Sequence, residues 1–213
     1  MFEDKKYIVI RNAISYELAN FGYNYLLLKR EAVAWMYNNN FLSKFTPGFG
    51  TWEDKQVPNS YSHYSDFFME TLMMKVFSIM QERTNLRLVP CYTYTRVYKK
   101  GDILKRHKDR PSCEISTTLH LGGDPWTIFL DPTGANTVID EYKQSIKPNA
   151  PKGIPIDLEP GDMLVYSGCE LEHWSEPFQG NHCAQVFLHY NNMDGPFGTQ
   201  NKFDNRPLLG IPK

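Results

Sequence analysis

The middle of this chain is a succession of short β-forming runs separated by turn residues, which commits it to a sheet-dominated body. Tyr92-Thr-Tyr-Thr-Arg-Val-Tyr98 alternates and is rich in aromatic and β-branched residues, so it reads as a strand. Lys99-Lys-Gly101-Asp102 is a turn, and Ile103 and Leu104 begin a return strand that carries His107. Glu114 to Leu121 reads as a further strand. Pro160-Gly-Asp162 is a turn feeding a strand that reaches Tyr166, and His182 to Tyr190 reads as another. At 213 residues and 41% apolar content, the chain is long enough to bury a sizeable core as a single domain.

The amino-terminal part has a different period. After a short strand at Tyr7 to Arg11, Ser15 is placed to cap a helix, with Glu17 in the first turn, where the helix dipole favours an acid. This helix is expected to run to about Tyr37 and to stop at Asn38-Asn-Asn40, with Leu18, Phe21, Tyr25 and Met36 turned inward. A polar loop follows through Pro47-Gly48 and Pro58-Asn59 to a Tyr-rich stretch holding His63, to which no catalytic part is assigned. The stripe Phe68, Leu72, Val76, Ile79 and Met80 predicts a second helix from Ser65 to Arg83. Both helices are expected to brace the outer face of the major sheet.

His107-Lys-Asp109, answered far downstream by His173, is the chemical feature of the chain. Two imidazoles and one carboxylate form the ligand set of a mononuclear non-haem iron(II) site with open positions. Residues i and i+2 of a strand share a face, so His107 and Asp109 can grip one ion together while His173 closes the triangle. The plain alternative makes His107 a surface imidazole on a basic strand and lets His173 pack with Trp174 at a sheet edge. Zinc takes similar ligands, but no His-Glu-x-x-His occurs, and the cysteines at 91, 113, 169 and 183 show no C-x-x-C pairing. Iron fits better.

The ordered run Tyr98-x-x-Gly101-x-x-Leu104-x-x-His107-x-Asp109, then Ile115 to Leu121, Pro160-Gly161-Asp162 and His173, resembles the 2-oxoglutarate- and iron(II)-dependent oxygenases, in particular their prolyl-hydroxylase-like branch. The resemblance is good over residues 86–191 and looser toward the amino terminus. It implies a mainly β fold with flanking helices, a double-stranded β-helix (jelly-roll, cupin-like) core. Residues 1–85 would be helical support, 86–191 the core and 192–213 an irregular tail, together one oxygenase domain. It further implies that His107, Asp109 and His173 are catalytic ligands of Fe(II). The ion would chelate 2-oxoglutarate as co-substrate and use O2 to decarboxylate it to succinate and carbon dioxide, hydroxylating a substrate. The carboxylate of Asp109 favours that outcome, because related halogenases carry a small residue in its place.

One departure stands out. Where this branch carries an Arg or Lys that pairs the far carboxylate of 2-oxoglutarate, this chain has His182. Imidazole lacks the guanidinium fork, and its charge near neutral pH depends on its surroundings. His182 is therefore one candidate anchor and Arg96 another, since Arg96 shares strand parity with Tyr94 and Tyr98 and all three can face a cavity. His120 lies where the branch often places a tyrosine touching the same carboxylate. Gln185 is a further polar candidate of parity opposite to His182. His189 is read as a packing residue.

Around this centre, the basic run from Lys99 to Arg110 either draws in an anionic ligand or is a solvated face. Residues 131–159 form either a lid or a proline-rich crossing between sheets. A formal net charge of −1 gives no reason to expect nucleic acid, and no long apolar run indicates a membrane. No signal-type segment is visible and the cysteines are unpatterned, so a cytoplasmic location with free thiols is expected. The expected partner is a peptide, through a prolyl or other peptidyl side chain, or else a free amino acid or small metabolite. A non-catalytic jelly-roll binding or scaffold module is the alternative of another class. The oligomeric state is not legible.

Overall fold

A computed structural model describes residues 1–140 and 143–213. In chain order, α1 is the single turn Phe2–Lys5, β1 is Tyr7–Ile10 and α2 is Tyr16–Asn38, followed by β2 (Tyr61–Tyr64), α3 (Phe67–Lys75) and α4 (Phe77–Thr84). The strands β3 (Leu88–Lys99), β4 (Leu104–His107), β5 (Ile115–Gly123), β6 (Ile128–Asp131), β7 (Thr137–Asp140) and β8 (Lys143–Ile146) come next. Then come β9 (Ile154–Ile156), β10 (Met163–Ser167), β11 (Glu172–Ser175) and β12 (His182–Asn192).

Two antiparallel sheets make the body. The major one has the order β1-β10-β5-β12-β3-β2 and the minor one β4-β11-β6-β9, while β7 and β8 pair only with each other. The non-sequential neighbours are those of a jelly roll, a sheet-on-sheet solution that buries one face of every strand. Along β12, Ala184, Val186 and Leu188 face the helices, and Gln185, Phe187 and His189 face the space between the sheets. The helix-side core joins Leu26 and Val33 of α2 and Met69 and Met73 of α3 to Leu119, Leu121 and Val186. Gly22 lets α2 approach: a Cβ there would lie 3.1 Å from Phe68 and 3.5 Å from Leu121. A second core joins Ile128 and Leu130 of the minor sheet to Leu164 of the major one.

The helices brace the major sheet as expected, and Ser15 caps α2 by accepting from the Leu18 amide. Leu18, Tyr25 and Met36 pack against the core as expected, at its margin. Ala19, Gly22, Leu26 and Val33 are buried, whereas Phe21 is exposed. The expected helix over 65–83 is two helices, capped by Asp66 and broken at Val76. The Tyr-rich stretch is not a loop: Tyr61–Tyr64 adds an edge strand to β3, and His63 is buried beside Asp66 at 3.1 Å. Residues 131–159 contain β7, β8 and β9, the last extending the minor sheet, while positions 141 and 142 lie outside the described residues. The tail after β12 folds back, with Arg206 buried against Glu70 at 2.7 Å. Among the described residues no helix is long and apolar enough to cross a membrane.

Candidate metal centre

His107 is the last residue of β4, and the antiparallel register of β4 with β11 sets it directly opposite His173. Their ring centroids are 4.2 Å apart. Asp109 lies just beyond the strand, so the i, i+2 rule does not place it. Its amide donates to the Gly168 carbonyl at 2.8 Å, which turns the carboxylate back toward the two rings. Asp109 Oδ1 then lies 3.6 Å from His107 Nε2 and 3.5 Å from His173 Nε2. One donor atom from each of the three residues falls within 4.8 Å of the others.

The protons are arranged for a cation. His107 Nδ1 lies 2.7 Å from the Lys105 carbonyl and His173 Nδ1 lies 3.2 Å from that of Leu171. A carbonyl only accepts, so each Nδ1 carries its hydrogen and each Nε2 presents a lone pair. Burial, helped by the adjacent His173, pushes the His107 pKa down to about 4, leaving the ring neutral near pH 7. Burial opposes ionisation of Asp109, but the two imidazoles, His173 first, outweigh it and hold the carboxyl well below its ordinary range. Ser116 Oγ donates to Asp109 Oδ2 at 2.7 Å and accepts from His189 Nδ1 at 2.9 Å. His189 therefore supports a ligand through Ser116 as well as packing. The nearby Cys113 is no thiolate ligand, because burial and then Asp109 keep its thiol protonated, close to the Tyr92 hydroxyl at 3.0 Å.

On the opposite face of the same two strands, the residues immediately preceding the histidines form a buried ionic cluster. Arg106 Nη2 lies 2.6 Å from Glu172 and also bonds Asp131, with its guanidinium 4.2 Å from the Trp174 ring centre. Glu172 additionally accepts from the Asn136 amide at 2.8 Å. The basic run of the sequence is thus largely paired: Lys99 with Asp102, Arg106 with this cluster and Arg110 with Asp204.

The triad opens into a cavity of about 340 Å³ between the sheets, walled among others by Tyr92, Tyr94, Arg96, Thr118, Tyr166 and Gln185. Of the cations lining it, which include Lys108 and Arg110, Arg96 is the fully buried one, 1% exposed, with its guanidinium carbon 5.3 and 5.5 Å from the ring centres of Tyr94 and Tyr98. Its Nη2 donates to Asp54 at 2.7 Å and its Nη1 to the Gln56 side chain at 3.2 Å, while its buried Nε has no partner. The Gln56 amide nitrogen in turn lies 3.1 Å from His107 Nε2. One amide group bridges the two, so Arg96 Nη1 is within about 9 Å of that nitrogen.

Two other candidates are placed differently. His182 shares the parity of Ala184 and Val186, points to the helix side and feels the charges of Arg30, Asp124 and Glu31; it does not line the cavity. Strand alternation removes it as the carboxylate anchor. His120 shares strand parity with the cavity-lining Thr118 but does not line the cavity; it is buried 3.9 Å from Cys183, and burial lowers its pKa to about 4. Sequence reasoning passed over Asp54, Gln56, Ser116 and Gly168. Gly168 is conspicuous in the structure alone, since a Cβ there would fall 2.5 Å from Asp109 Oδ2 and 2.8 Å from Ser116 Oγ.

No protein-family model matches the chain, and no curated protein matches it in sequence. Solved structures match its fold over most of their length. A Pseudomonas putida prolyl-4-hydroxylase superposes with a TM-score of 0.53 at 13% identity, over 90% of this chain and 95% of that one. HygX from Streptomyces hygroscopicus, solved with nickel, 2-oxoglutarate and hygromycin B, gives 0.62 at 12% identity over 90% and 84%. The non-heme alpha ketoglutarate dependent epimerase SnoN gives 0.62 at 10% identity over 100% and 92%. The chain has their fold. It is the jelly roll that the resemblance implied, with the three candidate ligands converging inside it.

Proposed function

We propose that the protein is a non-haem iron(II), 2-oxoglutarate-dependent dioxygenase that hydroxylates its substrate. The observation that carries the reading is the convergence of two imidazole lone pairs and one ionised carboxylate at the mouth of a cavity with a buried guanidinium inside. Two nitrogens and one oxygen are a donor set that suits Fe(II). His107 and His173 would hold the ion through Nε2 and Asp109 through Oδ1, with Ser116 bonded to the other carboxylate oxygen.

The cavity fits the co-substrate. Arg96 offers a partnerless buried N–H and a fork suited to a carboxylate, at a distance that a five-carbon diacid can span from the ion. Arg96 would hold the far carboxylate, with Tyr98 and Tyr94 confining its guanidinium. When bound, iron and 2-oxoglutarate with O2 supply the oxidative chemistry. The protein's part is to orient both ends of the diacid, keep the ligand nitrogens unprotonated and exclude water with Tyr92, Tyr166 and Phe187.

The substrate reading is a prolyl or other peptidyl side chain presented at the mouth, in line with the prolyl-4-hydroxylase likeness. A small metabolite is the second reading, and the higher TM-scores of HygX and SnoN favour it. The test is formation of succinate from 2-oxoglutarate by purified protein with Fe(II) and O2, with and without candidate peptides. Turnover is expected to vanish in H107A and D109A together with stoichiometric metal binding. Retention of metal by both variants would overturn the ligand assignment, and absence of both metal and turnover in the wild type would leave a jelly-roll binding module.

A further inference from the structure

Asp54 and Gln56 belong to an irregular segment before β2 whose ends are pinned: the Asn59 amide donates to the Trp52 carbonyl at 3.1 Å, and Thr51 bridges to Ser62. Val57 anchors it further in a small apolar cluster with Tyr98 and Leu104. From this frame the segment sends two polar groups to the two ends of the proposed co-substrate site. The Asp54 carboxylate takes Arg96 Nη2 at 2.7 Å, and the Gln56 amide bridges Arg96 Nη1 and His107 Nε2 at 3.2 and 3.1 Å.

Both contacts compete with the site's ligands. A single lone pair on His107 Nε2 cannot accept from an amide and bind a cation at once. A second carboxylate brought to the buried Arg96 contends with the one already on Nη2, because like charges repel where water is scarce. Asp54 is well suited to the role: burial would raise its carboxyl, but Arg96 and then Tyr94 more than offset this and keep it ionised.

We infer that Asp54 and Gln56 form a built-in competitor for co-substrate, an intramolecular stand-in for the diacid's far carboxylate that must be displaced before the site can load. The inference rests on the oxygenase reading and adds a selectivity to it. Cation binding dislodges Gln56, and only an oxo acid with a distal carboxylate replaces Asp54 on Arg96. A monocarboxylate such as pyruvate has nothing to offer Arg96 and leaves Asp54 in place.

Because the competitor is removed, a substitution here should tighten binding, the opposite of what a scaffolding role predicts. Asp54→Asn keeps a hydrogen-bonding group for Tyr94 while deleting the charge. Calorimetric titration of 2-oxoglutarate into Ni(II)-loaded protein is expected to give a Kd lower than wild type by roughly tenfold, the worth of one charge-assisted hydrogen bond. Gln56→Ala is expected to tighten Ni(II) binding severalfold. In wild type, hydrogen exchange over residues 53–57 should accelerate with Ni(II) and 2-oxoglutarate and not with Ni(II) and pyruvate, because the Gln56 amide loses its 2.6 Å bond to Asp54. Equal or weaker 2-oxoglutarate binding in folded D54N, or exchange unchanged by 2-oxoglutarate, would overturn the competitor while leaving the oxygenase intact. If D54N does not fold, Q56A decides alone, and unchanged or weaker Ni(II) affinity overturns the inference. Wild type that binds neither Ni(II) nor 2-oxoglutarate overturns both.

Discussion

Arg96→Lys separates the anchoring role of Arg96 from its structural one. Arg96 is fully buried and carries the charge that pairs Asp54, so a neutral replacement would strand a carboxylate and endanger the fold. Lysine keeps the charge but replaces a planar fork by a point donor, and it cannot lie between the Tyr94 and Tyr98 rings in the same way. The partnerless Nε and its neighbour offer a carboxylate two parallel bonds, of which an ammonium retains one. Losing one charge-assisted bond costs about 1.5–3 kcal/mol. At about 1.4 kcal/mol per decade, the 2-oxoglutarate Kd should rise roughly ten- to a hundredfold. The Ni(II) affinity should change far less, by no more than severalfold, because Arg96 reaches a ligand only through the Gln56 side chain. Calorimetry on Ni(II)-loaded wild type and variant measures both constants. A 2-oxoglutarate Kd within a factor of about two of wild type would show that the far carboxylate is held elsewhere, with Gln185, its cross-strand neighbour, the next residue to replace.

Gly168→Ala is expected to weaken Ni(II) binding by roughly ten- to a hundredfold, since the new methyl would meet the Cys113 carbonyl as well as Asp109 Oδ2 and Ser116 Oγ and so shift the carboxylate; affinity equal to wild type would refute that contact. Glu172→Ala breaks a buried ion pair directly behind the two histidines and should cost about 3–5 kcal/mol in urea unfolding. It should also lose more metal affinity than Glu70→Ala, which breaks the Arg206 pair in the tail; equal metal losses would refute a positioning role. Acid should destabilise the fold between about pH 6.5 and pH 4. The His120 pKa falls to about 4 on folding, so in that window the unfolded chain binds a proton that the folded one does not, and stability drops with pH. From pH 7 to pH 5 this group contributes a loss of roughly 2 kcal/mol, and His120→Gln should flatten the profile measured by thermal melting.

What the sequence disclosed depended on whether a local pattern carried the information. Strands β3, β5 and β12 alternate because one face meets helices and the other a cavity, so their positions were readable from residue types. Ser15 was readable for the same kind of reason, a hydroxyl placed before an amphipathic run. Strand β2 was not: it is short and polar, laddered to β3 on one edge and bridged only at Ser62 on the other, so Tyr-Ser-His-Tyr showed no apolar alternation. The break at Val76 has no Pro or Gly to announce it. Phe21 misled because Gly22, with no side chain to mark a face, is the residue that packs. For His182 the warning was present, since it shares a period with the apolar Ala184, Val186 and Leu188 and only Gln185 and His189 supply polar groups to the other face. Asp54 and Gln56 left no trace, because their role follows from the path of a loop.

The period of two also explains how one strand pair serves stability and chemistry together. On β4 and β11, each histidine is preceded by a charged residue that must point the other way. Arg106 and Glu172 therefore meet on the far face whenever His107 and His173 meet on the near one, and the register that makes the ion pair makes the ligand pair. Neither imidazole gains from facing the other without a cation, since each presents a lone pair. The near face is thus held at an electrostatic disadvantage by favourable contacts on the far face, with Asp131 and the Asn136 amide completing them. A slip of one residue in β4 would turn Arg106 into the cavity and His107 into the acidic cluster, exchanging both sets of partners for wrong ones. The candidate metal site is consequently held in register by residues that would not touch a metal.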